Sequence, residues 1–446
     1  MPGKRPANAS LRALLAEAEW TEEQLARKVN EIAVENGEQA RYDRSSVSRW
    51  LSGTVPHSRR RQFVIEALSR RLRRSLGPAD AGWPPEPEQE AVPSDPLARL
   101  EPLLESRSLL TGEFTYRVFP PPVAPVLGDA ADAPSRLAPE DSISRTLNDA
   151  VSFFAQAADV GGWRARTALA AYVRHEAIPS IRVSGPTAGP RLADTARLVH
   201  LLARIAQDDD ASGLAQRYYH AAADLAVAAG DSVTYATVLR AISAQASLLG
   251  HRRHALRVAE RAREAMDASA PAGVRAYVLT QLAVSQALLG EARRAYDNLG
   301  LAERAYGEGH ASEHEHIPPA FSTYTEASFR YQKAQVLVAD GRRSLAVTEL
   351  LHCLRQRPLG SGQAAAQTQL LLTRLLLREK RIDEACGSCR QLLELPHLMR
   401  SRRQRRGLAE LRREFRSFAA LPSVRDLLST AELGHAPPAP LHRSRT

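Results

Sequence analysis

Three groups of residues carry side chains capable of chemistry. Cys386 and Cys389 are separated by two residues, the spacing of a redox dithiol or of half a zinc site, and the other cysteine of the chain is Cys353. One pair supplies only two of the four ligands a structural zinc needs, so the cysteines read as small packing residues. His310, His314 and His316 crowd a segment with Glu313 and Glu315 that ends at Ile317, Pro318 and Pro319. Metal binding is conceivable there, but a polar inserted loop accounts for the composition. Arginines form the third group: Arg59, Arg60, Arg61, Arg70, Arg71, Arg73 and Arg74 near one end, and a run from Arg400 to Arg406 near the other. Guanidinium groups engage phosphates and carboxylates bidentately. No phosphate loop, dinucleotide glycine pattern, GxSxG or HExxH is present, so no enzymatic activity, cofactor or metal is expected.

The charge is uneven. The 446-residue chain has 60 Lys plus Arg against 50 Asp plus Glu, a formal +10 that favours a polyanionic partner. Residues 1–76 hold 15 basic and 9 acidic side chains, and residues 400–416 hold 8 Arg against Glu410 and Glu414; each segment is +6 and the remainder about −2. The length exceeds what one core organises. Few aromatics (5%) beside abundant Leu, Ala and Arg predict an all-α fold. Three cysteines build no disulfide framework, and neither a signal sequence nor a bilayer-spanning apolar run is apparent. The expectation is a cytoplasmic, nucleoid-associated protein with no membrane partner.

Residues 78–139 contain 13 of the 28 prolines, so 78–140 reads as a Pro-rich, largely disordered linker with a short helix at most over Asp95 to Leu104. It separates a domain at 1–77 from a body with N-terminal capping helices at 141–195, repeats at 196–396, basic capping helices at 397–432 and a disordered tail at 433–446. In the first domain Ser10 opens a helix through Leu11, Leu14, Leu15 and Ala18. Thr21 and Gln24 form a capping box for a second, and Asp43 caps a third whose inner face is Val47, Trp50 and Leu51. Ser58 opens a fourth that buries Val64, Leu68 and Leu72. The third helix turns Ser45, Ser48, Arg49 and Ser52 outward and holds Arg44 and Ser46 in its first turn. Arg can donate two hydrogen bonds to guanine, and Ser reaches base or phosphate. Arg59, Arg60 and Arg61, with Arg70, Arg71, Arg73 and Arg74, would add phosphate contacts. The predicted partner is double-stranded DNA; from the residues alone, a basic bundle binding RNA or protein is the alternative.

The strings TEEQLA at 21–26 and VSRWLSG at 47–53, followed by Pro56, resemble the XRE (phage-repressor-like) helix-turn-helix. Residues 30–42 make the connection to the third helix longer than that family's usual turn. RYDR at 41–44 is similar to actinobacterial regulators that join such a domain to helical repeats.

From residue 196 onward small residues recur. Ala203, Ser243, Ala283, Ala334 and Thr373 stand seven positions before Asp210, Gly250, Gly290, Gly341 and Lys380. Ala215, Ala255, Ala295, Ala346 and Ala385 stand five positions after those turn residues, and Ala222, Ala262, Ala302, Cys353 and Leu392 seven further on. Intervals of 40, 40, 51 and 39 residues predict five helix-turn-helix units pressed together at small side chains. The pattern resembles tetratricopeptide repeats of longer period, giving a TPR-like α-solenoid. That resemblance implies a concave groove along the first helix of each unit, and its offsets place Arg197, His200, Arg204, Arg240, Tyr277, Thr280, Tyr331, Gln335, Gln367 and Arg374 on it. Four arginines and no carboxylate suit an acidic ligand, whether peptide, small molecule or protein partner. Together the resemblances imply a homodimeric transcriptional regulator of development or secondary metabolism. A repeat scaffold that recruits partners, its basic head binding RNA or protein, is the alternative.

Overall fold

The computed structural model describes residues 6–35, 40–74, 76–84, 95–105, 114–118, 142–161, 163–184, 188–266, 270–308, 324–357, 362–395 and 401–430. All regular structure among them is helical. Four helices come first: α1 (Ala9–Glu17), α2 (Glu22–Glu35), α3 (Arg44–Leu51) and α4 (Ser58–Leu72). Their starts follow from their caps. Asn8, rather than Ser10, caps α1 by accepting from the Leu11 amide at 2.9 Å. Thr21 and Gln24 exchange side-chain to backbone bonds of 2.8 and 3.2 Å, and Asp43 accepts from the Ser46 amide at 2.9 Å. Each bond satisfies an NH group that a helix start leaves open. The apolar stripes meet in one core that includes Leu11, Leu25, Val29, Val47, Phe63 and Leu68, and α2 lies against both α3 and α4. Asn30 anchors the long entry to α3: its side chain donates to the Tyr42 carbonyl and accepts from the Tyr42 amide, both at 2.8 Å.

Parts of the Pro-rich stretch are packed. A 3-10 turn at Pro78–Ala81 leads Trp83, 3% exposed, into the core of the four helices, so this first unit, the head, extends beyond residue 77. Leu97, Leu100, Leu103 and Leu104 enter the core of the following body, ending in a 3-10 turn at Glu101–Leu104 rather than an α-helix. Residues 114–118 run so close to the body that a methyl group on Gly213 would sit 1.7 Å from the Phe114 carbonyl oxygen, a contact only glycine permits. For these pieces the expectation of disorder does not hold, because apolar residues spaced among the prolines bury enough surface to hold them.

In the body, α5 (Ser142–Gly161), α6 (Trp163–Tyr172), a π-helical turn (Val173–Ala177) and α7 (Ile178–Ser184) precede five helix pairs. These are α8 (Gly189–Asp208) with α9 (Ser212–Ala229), α10 (Ser232–Leu248) with α11 (Arg252–Glu264), α12 (Ala272–Leu288) with α13 (Ala292–Glu308), α14 (Glu326–Ala339) with α15 (Arg343–Gln356), and α16 (Gly362–Arg378) with α17 (Ile382–Leu393). The small residues explain the pairing: all fifteen helix positions of the predicted pattern are 0% exposed. The five turn residues all have positive φ, from 60° at Asp210 and Lys380 to 88° at Gly250, which reverses the chain within a few residues. Consecutive packed pairs of this kind are consistent with an α-solenoid.

The array then closes on itself. After α17 come α18 (Arg402–Phe415) and α19 (Pro422–Ser429). Helix α18 packs on α16 and reaches back to α8, and α16 touches α5. Ser401 Oγ donates to the Asp208 carbonyl at 2.9 Å across this seam. Among the described residues no helix is long and apolar enough to cross a membrane.

Candidate functional site

Helix α3 is only eight residues long, and Val47, Trp50 and Leu51 fix its inner face. Arg44, Ser45, Ser48, Arg49 and Ser52 are left exposed. The Arg44 side chain is 81% exposed and comes only within 3.5 Å of Glu22. Ser46 stands in the first turn as expected but is not open to a partner: it is 8% exposed and its hydroxyl donates to Asp43 at 2.9 Å, which makes it part of the helix cap. The Ser45 hydroxyl and the Ser46 amide and hydroxyl all donate to Asp43 and hold its acid down at about 2.

The other head arginines divide. Arg60 lies 6.0 Å from the centre of the Tyr42 ring, and Arg61 donates to the Pro84 carbonyl at 2.9 Å. The Arg59 side chain lies outside the described residues. Arg70, Arg71 and Arg74, expected at phosphates, are bound within the head instead. Arg70 donates to Glu66 and Glu35 at 2.7 Å each, Arg71 to the Ala18 carbonyl at 2.8 Å, and Arg74 to Glu17 at 2.8 Å. Their acceptors come from α1, α2, α4 and the α1 exit, partners that become visible only when the helices pack.

Closure of the body surrounds a cavity of about 720 Å³. His200, Arg204, Arg240, Tyr277, Tyr331, Gln335, Gln367 and Arg374 line it, as the groove offsets placed them. Thr280 does not, being fully buried with its hydroxyl donating to the Tyr277 carbonyl at 3.0 Å. Nor does Arg197, which binds Asp194 and Asp231 at 2.8 Å each and Thr234 at 3.1 Å, clasping the start of α10. The wall also contains carboxylates that the expected set lacked. Asp208 and Glu410 line it, and Arg374 is held by Glu410 and Glu414 at 2.9 and 3.1 Å. Counting along first helices misses what closure adds: Arg357 from the end of α15, and Arg403 and Arg406 from α18. A signal for the last two existed, because Leu408, Leu411 and Phe415 define an apolar face of α18 that must pack and carries its neighbouring arginines inward.

Inside the cavity the Arg240 guanidinium lies 3.9 Å from the centre of the Tyr277 ring. Burial, reinforced by Arg204 and Arg240, pulls the His200 imidazole down to about 3, so it is neutral at neutral pH.

Two charge clusters join head to body. Glu66, 4% exposed, accepts from Arg70 at 2.7 Å and lies 2.9 Å from His251 Nε2. Burial alone would raise that acid, but His251 and Arg70 outweigh it and hold the carboxyl below its ordinary range. An ionised carboxylate only accepts, so Nε2 is the nitrogen that carries the proton. Tyr116, from the Pro-rich stretch, stacks on His251 with centroids 5.1 Å apart. In the second cluster Arg406 reaches Glu35 at 3.0 Å and Asp210 at 3.3 Å. Burial lifts the Asp210 acid to about 6 although Arg406 opposes it.

All three cysteines are buried and unbridged, with Cys353 Sγ donating to the Ala327 carbonyl at 3.0 Å. Burial pushes the Cys389 thiol up to about 12, which removes its thiolate character. His310, His314 and His316 lie outside the described residues.

No curated protein matches the chain. A family model described as the SP15 N-terminal domain matches residues 11–84. That similarity is confined to the head and spans the stretch from Leu11 to Trp83 that builds its core.

Proposed function

We propose that the protein is a sequence-specific DNA-binding transcriptional regulator, with an XRE-type helix-turn-helix head and a tetratricopeptide-like sensor body. The observation that carries this reading is the surface of α3. A short helix, clamped by its Asp43 cap and its apolar face and crossed by α2, presents Arg44, Ser48, Arg49 and Ser52 outward. Such a helix fits the major groove while its neighbour braces on the backbone. With Ser46 committed to the cap, Arg49 becomes the principal base-reading side chain and Arg44 a phosphate contact. One eight-residue helix reads few base pairs, so the regulator acts as a homodimer on paired half-sites. The cavity suits a small-molecule ligand better than a protein partner, since its volume matches that of small-molecule sites.

Genome-wide mapping of DNA crosslinked to the full-length protein tests the reading. A recurrent palindromic footprint, lost in Arg49→Ala, is the expected result. No enriched site, together with no duplex binding in a fluorescence anisotropy titration at low salt, would overturn it.

A further inference from the structure

The cavity wall is built for negative charge. Arg204, Arg240, Arg357, Arg374, Arg403 and Arg406 line it against only Asp208 and Glu410. Several of these cations are already engaged by carboxylates of the fold, but Arg240 is not. It is 8% exposed, has no carboxylate within ion-pair distance among the described residues, and its Nε has no hydrogen-bond partner there. The Tyr277 ring below it attracts a cation but brings no counter-charge. An unpaired buried cation lowers stability, so its place in a cavity wall points to a counter-charge arriving with a ligand. Gln332 and Gln404, 8% and 6% exposed, also belong to the wall and give it uncharged polar groups beside the arginines.

The wall is also wired to the head. Arg406 divides its guanidinium between Asp210 in the body and Glu35 at the end of α2, and Glu35 in turn accepts from Arg70 at 2.7 Å. Arg70 binds Glu66, which faces His251. An anion in the cavity adds a third claimant on Arg406 and so loosens its hold on the helix that braces α3.

We propose that the cavity binds a compact polyanionic small molecule, and that Arg406 reports its occupancy to the head through Glu35. The binding part stands by itself; its regulatory meaning rests on the DNA-binding reading.

The test uses full-length protein at fixed ionic strength, with fructose 1,6-bisphosphate, citrate and pyrophosphate as probes and fructose as the neutral control. The expected result is a saturable rise in Tm with at least one of the three anions, absent with fructose. Arg240→Gln should weaken that response at least tenfold while raising the Tm of the unliganded protein, because it removes an unpaired cation. Arg257→Ala, on the exposed face of α11, should change neither. No saturable rise with any of the three anions, an undiminished response in Arg240→Gln, or a lowered unliganded Tm in that variant would each overturn the binding site. For the link, saturating anion should speed amide exchange over residues 30–35, and Glu35→Gln should keep the Tm rise while abolishing that change. Exchange that still responds in Glu35→Gln would refute the route through Arg406. Neither readout involves DNA, so a protein that passes both and binds no duplex would refute the regulator reading alone.

Discussion

The two basic ends of the chain carry the same formal excess, +6 each, yet their arginines do different work. On α3, Arg44 and Arg49 project from a capped, buried-backed helix, and the nearest acid to Arg44 is Glu22 at 3.5 Å. On α18, Arg406 is bound to Glu35 and Asp210, Arg403 lies 4.0 Å from Asp208, and the acids of the same helix hold Arg374. What separates them is burial: the Arg44 side chain stays 81% exposed beside Glu22, whereas Arg403 and Arg406 are 22% and 35% exposed against their acids. An arginine packed against an internal acid is a structural group, and one that stays exposed is available to a partner. The same division runs through the head, where Arg70 belongs to the junction with the body while Arg49 faces outward.

The sharpest way to break this comparison is at the buried end of the scale. Glu66→Ala removes the acid shared by Arg70 and His251 in a site that is 4% exposed, and breaking a buried pair costs about 3–5 kcal/mol. Urea unfolding of the full chain should show a loss of that size, whereas Glu17→Ala, which frees the half-exposed Arg74, should change stability by no more than about 1 kcal/mol. Equal small losses would mean that the head does not dock on the body through this cluster.

The second cluster should respond to pH with the opposite sign. Burial lifts the Asp210 acid in the folded protein to about 6, above the ordinary aspartate value of 3.8. Burial is the main cause; Arg406 and Arg403 oppose it, and Glu35 and Glu410 reinforce it. The folded state therefore binds more protons between those values, and the Asp210 contribution to stability falls as pH rises from about 4 to 6, by on the order of 2–3 kcal/mol. Glu66 behaves the other way: its acid is lowered, so its stabilising contribution is present at neutral pH and is lost as pH falls through its folded value. Unfolding free energies measured across this range should be flatter in Asp210→Asn than in the parent, and an unchanged profile would show that Arg406 fully compensates the buried acid.

On α3 the expected effect is on recognition instead of stability. Arg49→Ala should weaken binding at a specific site by about 1–3 kcal/mol and leave random duplex affinity nearly unchanged. Equal losses on both would reassign Arg49 to the phosphate backbone.

How much of this was legible in the sequence depends on the range of the interaction. The helix pairs were, because two helices in close contact admit only small side chains, and Ala203, Ala215 and Ala222 and their counterparts all sit where that contact forms. The Asp43 cap and the face of α3 were also local, set by residues within one or two turns. Ser46 sits in the first turn as expected but turns inward, because its hydroxyl prefers the Asp43 carboxylate to solvent, a competition that helical spacing does not encode. Arg197 was misplaced for a longer-range reason: Asp231, 34 residues away, draws it out of the groove. The closure of α18 onto α8, which turns a groove into a cavity and brings in Arg403 and Arg406, depends on curvature summed over five pairs. Periodicity gives the repeat but not that sum.

The smallest predicted effect probes the comparison most directly. Each phosphate neutralised on duplex DNA adds about −0.9 to the slope of log K against log salt. Arg44→Ala should therefore flatten the slope by about 0.9 if Arg44 meets one phosphate. Among the described residues Arg402, Arg413 and Arg416 are the α18-segment arginines that remain exposed, so replacing all three with Ala removes the most accessible charge of that segment. If the α18 arginines serve the fold alone, the slope of this triple variant equals that of the parent. A slope flattened by the triple variant as much as by Arg44→Ala would show that exposed charge at either end reaches DNA, and that internal carboxylates select only which arginines of α18 take part.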